Sequence, residues 1–171
     1  MPALTPADQV ALHISTLKKA GVQSYTAANP SGRHPFPLPL LMKQVVSDRL
    51  MLAGEQLGVG DHMLNNQQFR SSISRHYYAM YHAARAVVFA VEQGDDYERH
   101  NELPRHLPQG MPNVAKHEIS LTEARLLRNQ ADYDPYPVSA ADWETDARAL
   151  AATAAQFVND FESFAITNGY V

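Results

Sequence analysis

Cysteine is absent from the 171 residues, and that one absence removes disulfides, thiolate metal sites and thiol catalysis together. Apolar runs long enough to span a bilayer are missing too, and the first residues lack the pattern of a signal peptide, so a soluble cytoplasmic protein without a membrane partner is expected. Positive charge is scarce. The formal net charge of −4 excludes a strongly basic coat that would hold nucleic acid indifferently to sequence. Acidic residues are missing between Asp61 and Glu92, where Arg70, Arg75, Arg85, His62, His76 and His82 all fall, whereas seven carboxylates stand against Arg148 alone from Asp132 to Glu162. An anion would be drawn to the first stretch and repelled by the second.

The length suits one domain with a core of its own. Asp61 to Glu92 carries the longest helical pattern and is read as one helix. Ile73, Tyr77, Met80, Ala84, Val87 and Val91 recur every three or four residues, forming one stripe that should face the core. Arg75 and His82 are seven apart, so they share a second face, roughly opposite that stripe. Ala79, Ala86 and Phe89 lie on or beside this face, leaving the helix apolar nearly all round. A second subunit is expected to cover what the chain itself does not.

Around this helix the rest of the chain reads as follows. Thr5, Pro6 and Asp8 start a short helix ending near Gly21. Residues 21 to 39, with Asn29-Pro30, Ser31-Gly32, Pro35, Pro37 and Pro39, read as an extended linker. Met42, Val46, Leu50, Ala53 and Leu57 describe an amphipathic helix stopped by Gly58 and Gly60. Residues 94 to 116 read as a long loop, in which His100 and His106 are spaced too widely to favour a metal site. Ser120 to Glu123 form a capping box that opens a helix containing Arg125 and Arg128. Trp143, Ala147, Leu150, Ala154, Phe157, Phe161 and Phe164 give the last helix its core stripe. The sum is an all-α, up-and-down four-helix bundle over residues 40–171, with an extra N-terminal helix and a Pro-rich linker over residues 1–39.

An arginine can hold a phosphate with a charged fork, and a histidine gives or takes a proton most readily near neutrality. Together Arg75 and His82 have the means to cleave RNA without a metal: imidazole as base or acid on the ribose 2′-hydroxyl or the leaving oxygen, guanidinium against the phosphoryl charge. By spacing alone, the commoner reading of His82 is a structural histidine paired with a carboxylate or with Tyr78. Tyr78, beside the Arg/His face, has a ring on which a base could stack, whereas Tyr77 should pack and have its hydroxyl hydrogen-bonded. Arg125 and Arg128 can extend a contact to an RNA backbone or pair with Asp132 or Asp134.

The run Ser74-Arg75-His76-Tyr77-Tyr78-Ala79-Met80-Tyr81-His82-Ala83-Ala84-Arg85-Ala86 resembles the signature helix of HEPN domains, and Arg125 to Asp134 resembles a second block of one HEPN subfamily. The similarity covers about residues 40 to 168. Many such proteins are metal-independent ribonucleases whose Arg, polar residue and His are assembled across a dimer. The resemblance therefore implies catalytic roles for Arg75 and His82 with His76 supporting, contacts to substrate by Tyr78, Arg85 and Ser71, and no cofactor. It also implies RNA as substrate, a homodimer, and a toxin paired with a minimal nucleotidyltransferase antitoxin. In some members that antitoxin modifies a tyrosine two residues after the motif histidine; here that position is Ala84. The alternative that the resemblance allows is a non-catalytic module that binds a nucleotide or regulates a nucleotidyltransferase partner.

Overall fold

The structure is a computed structural model that describes residues 3–28 and 36–171. Among them the elements are α1 (Pro6–Ser15), α2 (Lys19–Ala28), α3 (Leu38–Asn65), α4 (Phe69–Glu92), α5 (Val114–Tyr133) and α6 (Glu144–Thr167), with short 3₁₀ turns at Leu103–His106 and Ala140–Trp143. No strand occurs among the described residues. The chain is all-α, as its periodicity requires.

Helix α4 is the centre, packing on α3, α5 and α6. Ile73, Tyr77, Met80, Ala84 and Val87 are fully buried, although Val91 at the end of the stripe is 37% exposed. The helix predicted over Asp61–Glu92 is in fact two. The break falls at Asn66–Gln68, where Gln67 takes a left-handed φ of 59° and turns the chain between α3 and α4, so the two helices run antiparallel. Helix α3, in turn, does not stop at Gly58 and Gly60, because glycine ends a helix only where the backbone turns left-handed, and here it does not. Gly60 serves packing: a Cβ there would stand 2.9 Å from the His76 ring.

Ala79, Ala86 and Phe89 are buried within the chain itself. The cover that the sequence reading assigned to a second subunit is thus supplied by neighbouring helices. Arg70, from the first turn of α4, donates to the carbonyls of Ala131 (2.7 Å) and Asp134 at the end of α5 and lies over the Trp143 ring. It caps carbonyls that the helix leaves unpaired. Helix α5 begins at Val114, so Ser120 lies inside it and the predicted capping box is absent. In α6 the predicted core stripe is buried, save for Phe164, which is partly exposed.

The N-terminal segment holds two helices. Thr5 and Asp8 form the predicted capping box of α1. However, α2 runs through Gly21 to Ala28, and α3 already begins at Leu38 with Pro37 as its N-cap, so the extended stretch is shorter than predicted. The Asn29-Pro30, Ser31-Gly32 and Pro35 signals lie outside the described residues. The segment is docked firmly. Leu17 O accepts from Asp95 N at 2.7 Å, and at Gly94 an added Cβ would meet the Lys19 backbone nitrogen at 2.2 Å, an approach that only glycine permits.

Candidate functional site

The exposed ridge of α4 begins with Ser71 and, one turn on, Arg75; both are solvent-accessible. Arg75 donates to the neutral amide oxygen of Gln56 (3.2 Å) and has no carboxylate partner among the described residues. Its charge is therefore uncompensated locally.

Two turns further, His82 is half-buried and borders a cleft of about 450 Å³, whose walls include Leu4, Ala11 and Leu12 of the N-terminal segment together with Arg49 and Arg85. Its ring contacts Tyr78 (centroids 6.4 Å, nearly parallel) and Tyr81 (5.3 Å, edge-on). Neither ring nitrogen has a hydrogen-bond partner among the described residues. Burial, and then the positive charges of Arg85 and Arg49 and the neighbouring His100, lower its pKa to about 4. At neutral pH His82 is an uncharged imidazole.

His76 sits elsewhere. It is fully buried, with Nε2 3.1 Å from Asp61 Oδ1 and Nδ1 3.1 Å from Ser72 Oγ, which itself donates to Gly60 O. A ring with no exposed surface, clamped between α3 and α4, does not itself face a substrate, so the supporting role assigned to it would act through the position of α4. His76 joins the two helices instead.

Arg85 also differs from its predicted use as a free substrate contact. Its Nε donates to Asp95 Oδ1 at 2.9 Å and its Nη2 bonds Asp95 Oδ2, while Arg49 reaches the same carboxylate at 3.1 Å. Arg49 also donates to Ser15 O (2.6 Å) and Arg85 O (3.3 Å). Burial lowers the Arg49 pKa to about 10, opposed by Asp95. Burial alone would raise the Asp95 pKa, but hydrogen bonds from Arg85 and the charges of both arginines hold it below the ordinary carboxylate value. Two cations share one anion, which leaves an excess of positive charge beside His82.

Sequence reasoning missed this triad. Its signal was Arg49 itself, which stands on the core stripe of α3 between Val46 and Ala53, where an arginine needs a buried partner. Nothing in the spacing pointed to Asp95, 46 residues away.

Tyr78, the predicted stacking ring, is half-buried, and its hydroxyl accepts from Arg128 Nη2 (2.7 Å). Tyr77 is packed as expected, with its hydroxyl bonded to His100 Nδ1. Arg128 lies 2.7 Å from Asp132, as the blander reading of that block held; Arg125 pairs with neither aspartate. His106 stacks flat on Tyr97 (3.4 Å), and among the described residues no three His, Asp or Glu side chains gather as a metal-binding group.

The comparisons add one finding. The family model described as "HEPN domain" matches residues 46–164, which include the α4 ridge, His82, the Asp95 triad and Arg125 to Asp134 but leave out α1 and α2. No curated protein and no solved structure matches the chain.

Proposed function

Since the chain belongs to the HEPN domain family, we propose that it is a metal-independent endoribonuclease acting through Arg75 and His82. The observation that supports this best is the state of His82: an imidazole without a hydrogen-bond partner among the described residues, kept uncharged first by burial and then by the charges of Arg85 and Arg49, on the same face of α4 as an arginine with no carboxylate. A structural histidine paired with a carboxylate would look like His76 instead.

At neutral pH His82 is in the uncharged form that can accept a proton, and the same burial makes it a weaker base than an ordinary histidine. His82 takes the proton of the ribose 2′-hydroxyl. The oxygen forms its bond to phosphorus, the bond from phosphorus to the 5′-oxygen breaks, and that oxygen leaves with a proton from water. The products are a 2′,3′-cyclic phosphate and a 5′-hydroxyl end. Arg75 stabilises the charge that builds on the non-bridging oxygens. As proposed, two chains form a homodimer that brings two such faces together, and the protein is the toxin of a toxin–antitoxin or defence module whose antitoxin is a minimal nucleotidyltransferase. Ser71 and Tyr78 would contact the RNA, whereas Arg85 acts on His82 through its field.

The test uses an oligoribonucleotide and the same oligomer with a 2′-deoxy sugar at the cleaved position. Cleavage of the first and not the second is expected; equal cleavage excludes attack by the 2′-hydroxyl. The second reading, a non-catalytic nucleotide-binding module, has the 450 Å³ cleft in its favour, whose apolar walls suit a base and whose Arg49 and Arg85 stand against Asp8 and Asp48 in the same lining. Binding of a mononucleotide without any cleavage of RNA would favour it.

A further inference from the structure

On α5, which meets α4 at Tyr78, Arg125 and Arg128 form a second gathering of cations. Arg125 has no hydrogen bond or ion pair among the described residues, and its Nε is buried without a partner. One turn on, Arg128 sends Nη2 to Tyr78 and Nη1 to Asn129 Oδ1 (3.2 Å), and its guanidinium lies over the Tyr78 ring at 5.2 Å. Its Nε lies 2.7 Å from Asp132 Oδ2, so Arg128 is already paired with a carboxylate. A buried guanidinium nitrogen without an acceptor is costly, and Arg125, one turn from an arginine that already holds the nearby carboxylate, makes a site short of an anion.

The surroundings suit a nucleic acid. His100 is exposed and stacks on Tyr81 (4.2 Å), and Tyr78 and Tyr77 stand beside it (6.1 and 5.7 Å). Burial and the charges of Arg128, Arg85 and Arg125 lower the His100 pKa, so the ring is an uncharged stacking surface at neutrality. Tyr78 touches both His82 and Arg128, which places the two cationic regions next to each other along one strand's path.

Resting on the ribonuclease reading, we propose that Arg125, with Arg128, binds a backbone phosphate adjacent to the scissile one, while Tyr78 and His100 offer their rings to the neighbouring base of a single-stranded RNA. Neutral aromatic faces beside paired guanidinium groups are the combination that single-stranded nucleic acids use, stacking for the base and charge for the phosphate.

The experiment measures binding of a fluorescein-labelled oligouridylate by anisotropy across a salt series, with His82→Ala protein so that the probe stays whole. Adding Arg125→Gln should weaken binding roughly tenfold at low salt, the scale of one charge-assisted contact, and reduce the slope of log affinity against log salt by about 0.7, one released counterion on a single strand. Arg125→Lys should restore the slope. A purely structural role for Arg125 would not move the slope, and circular dichroism controls for folding. Unchanged affinity and slope in Arg125→Gln, or no binding of the probe by the His82→Ala protein, overturns the proposal, as does full competition by uridine monophosphate at matched concentration, which would assign the site to a free nucleotide. The two claims fail separately: cleavage by wild type with affinity and salt slope unchanged in Arg125→Gln removes this site alone, whereas Arg125-dependent binding without cleavage by wild type removes the ribonuclease reading alone.

Discussion

At the scale of the residue, the chemistry turns on how differently one helix treats its two motif histidines. His76 and His82 are six positions apart, yet His76 is sealed against Gly60 and Asp61 and His82 opens onto a cleft. The sequence marked both as candidates, because hydrogen-bond partners 15 residues away cannot be read from spacing along one helix. For His82 the lowered pKa makes a prediction about pH. The uncharged form is the base, so kcat/KM for RNA should be flat through neutrality and fall only as pH nears about 4. A fall centred near 6.5, the ordinary histidine value, would mean that burial and the arginines do not act on it. Stability follows the same sign. A depressed folded-state value contributes stability that is fully present above 6.5 and is lost as pH falls toward 4, because the unfolded chain takes up the proton first. Denaturant unfolding of His82→Gln should therefore depend less on pH across that window than wild type does.

At the scale of the element, the helix cores were legible and the helix ends were not. Period-3.6 stripes on α4 and α6 correspond to buried residues except at Val91 and Phe164, and on α3 Met42, Val46 and Ala53 are buried while Leu50 and Leu57 are partly exposed. Boundaries failed where a weak local signal lost to packing. Gly58 and Gly60 read as a stop, but α3 continues to Asn65, and the real turn is made by Gln67, a residue with no turn preference of its own. Ser120 to Glu123 read as a start, yet α5 had already begun. The three glycines of α3 now separate by what surrounds them. Nothing lies within 4 Å of a Cβ at Gly54 or Gly58, so Gly58→Ala should stabilise the protein by about 0.5–1 kcal/mol through helix propensity. Gly60→Ala drives a methyl into the His76 ring and should destabilise by about 1–3 kcal/mol. Urea unfolding of both variants checks the pair, and equal effects would contradict this account of Gly60.

At the scale of the whole molecule, Asp95 ties the N-terminal segment to the bundle. Its carboxylate holds Arg49 and Arg85, its backbone nitrogen donates to Leu17, and its carbonyl accepts from Lys18 at 2.5 Å. Asp95→Ala leaves Arg49 buried and uncompensated, which should cost about 3–5 kcal/mol, and it should loosen α1 from the cleft that His82 borders, measurable as faster amide exchange in residues 6–15. Unchanged exchange there would mean that α1 is held by other contacts. Both helices of the segment lie outside the family match, and α1 supplies one wall of the cleft that His82 borders. The match fixes the family; the proposed cleavage chemistry rests on Arg75 and His82. The most direct measurement is an endoribonuclease assay in EDTA comparing wild type with His82→Ala at equal folding by circular dichroism. The account predicts cleavage by wild type, indifferent to the chelator, and a loss of at least about 10²-fold in the variant. A folded wild type that leaves RNA intact, or a folded His82→Ala that cuts as well as wild type, would contradict it.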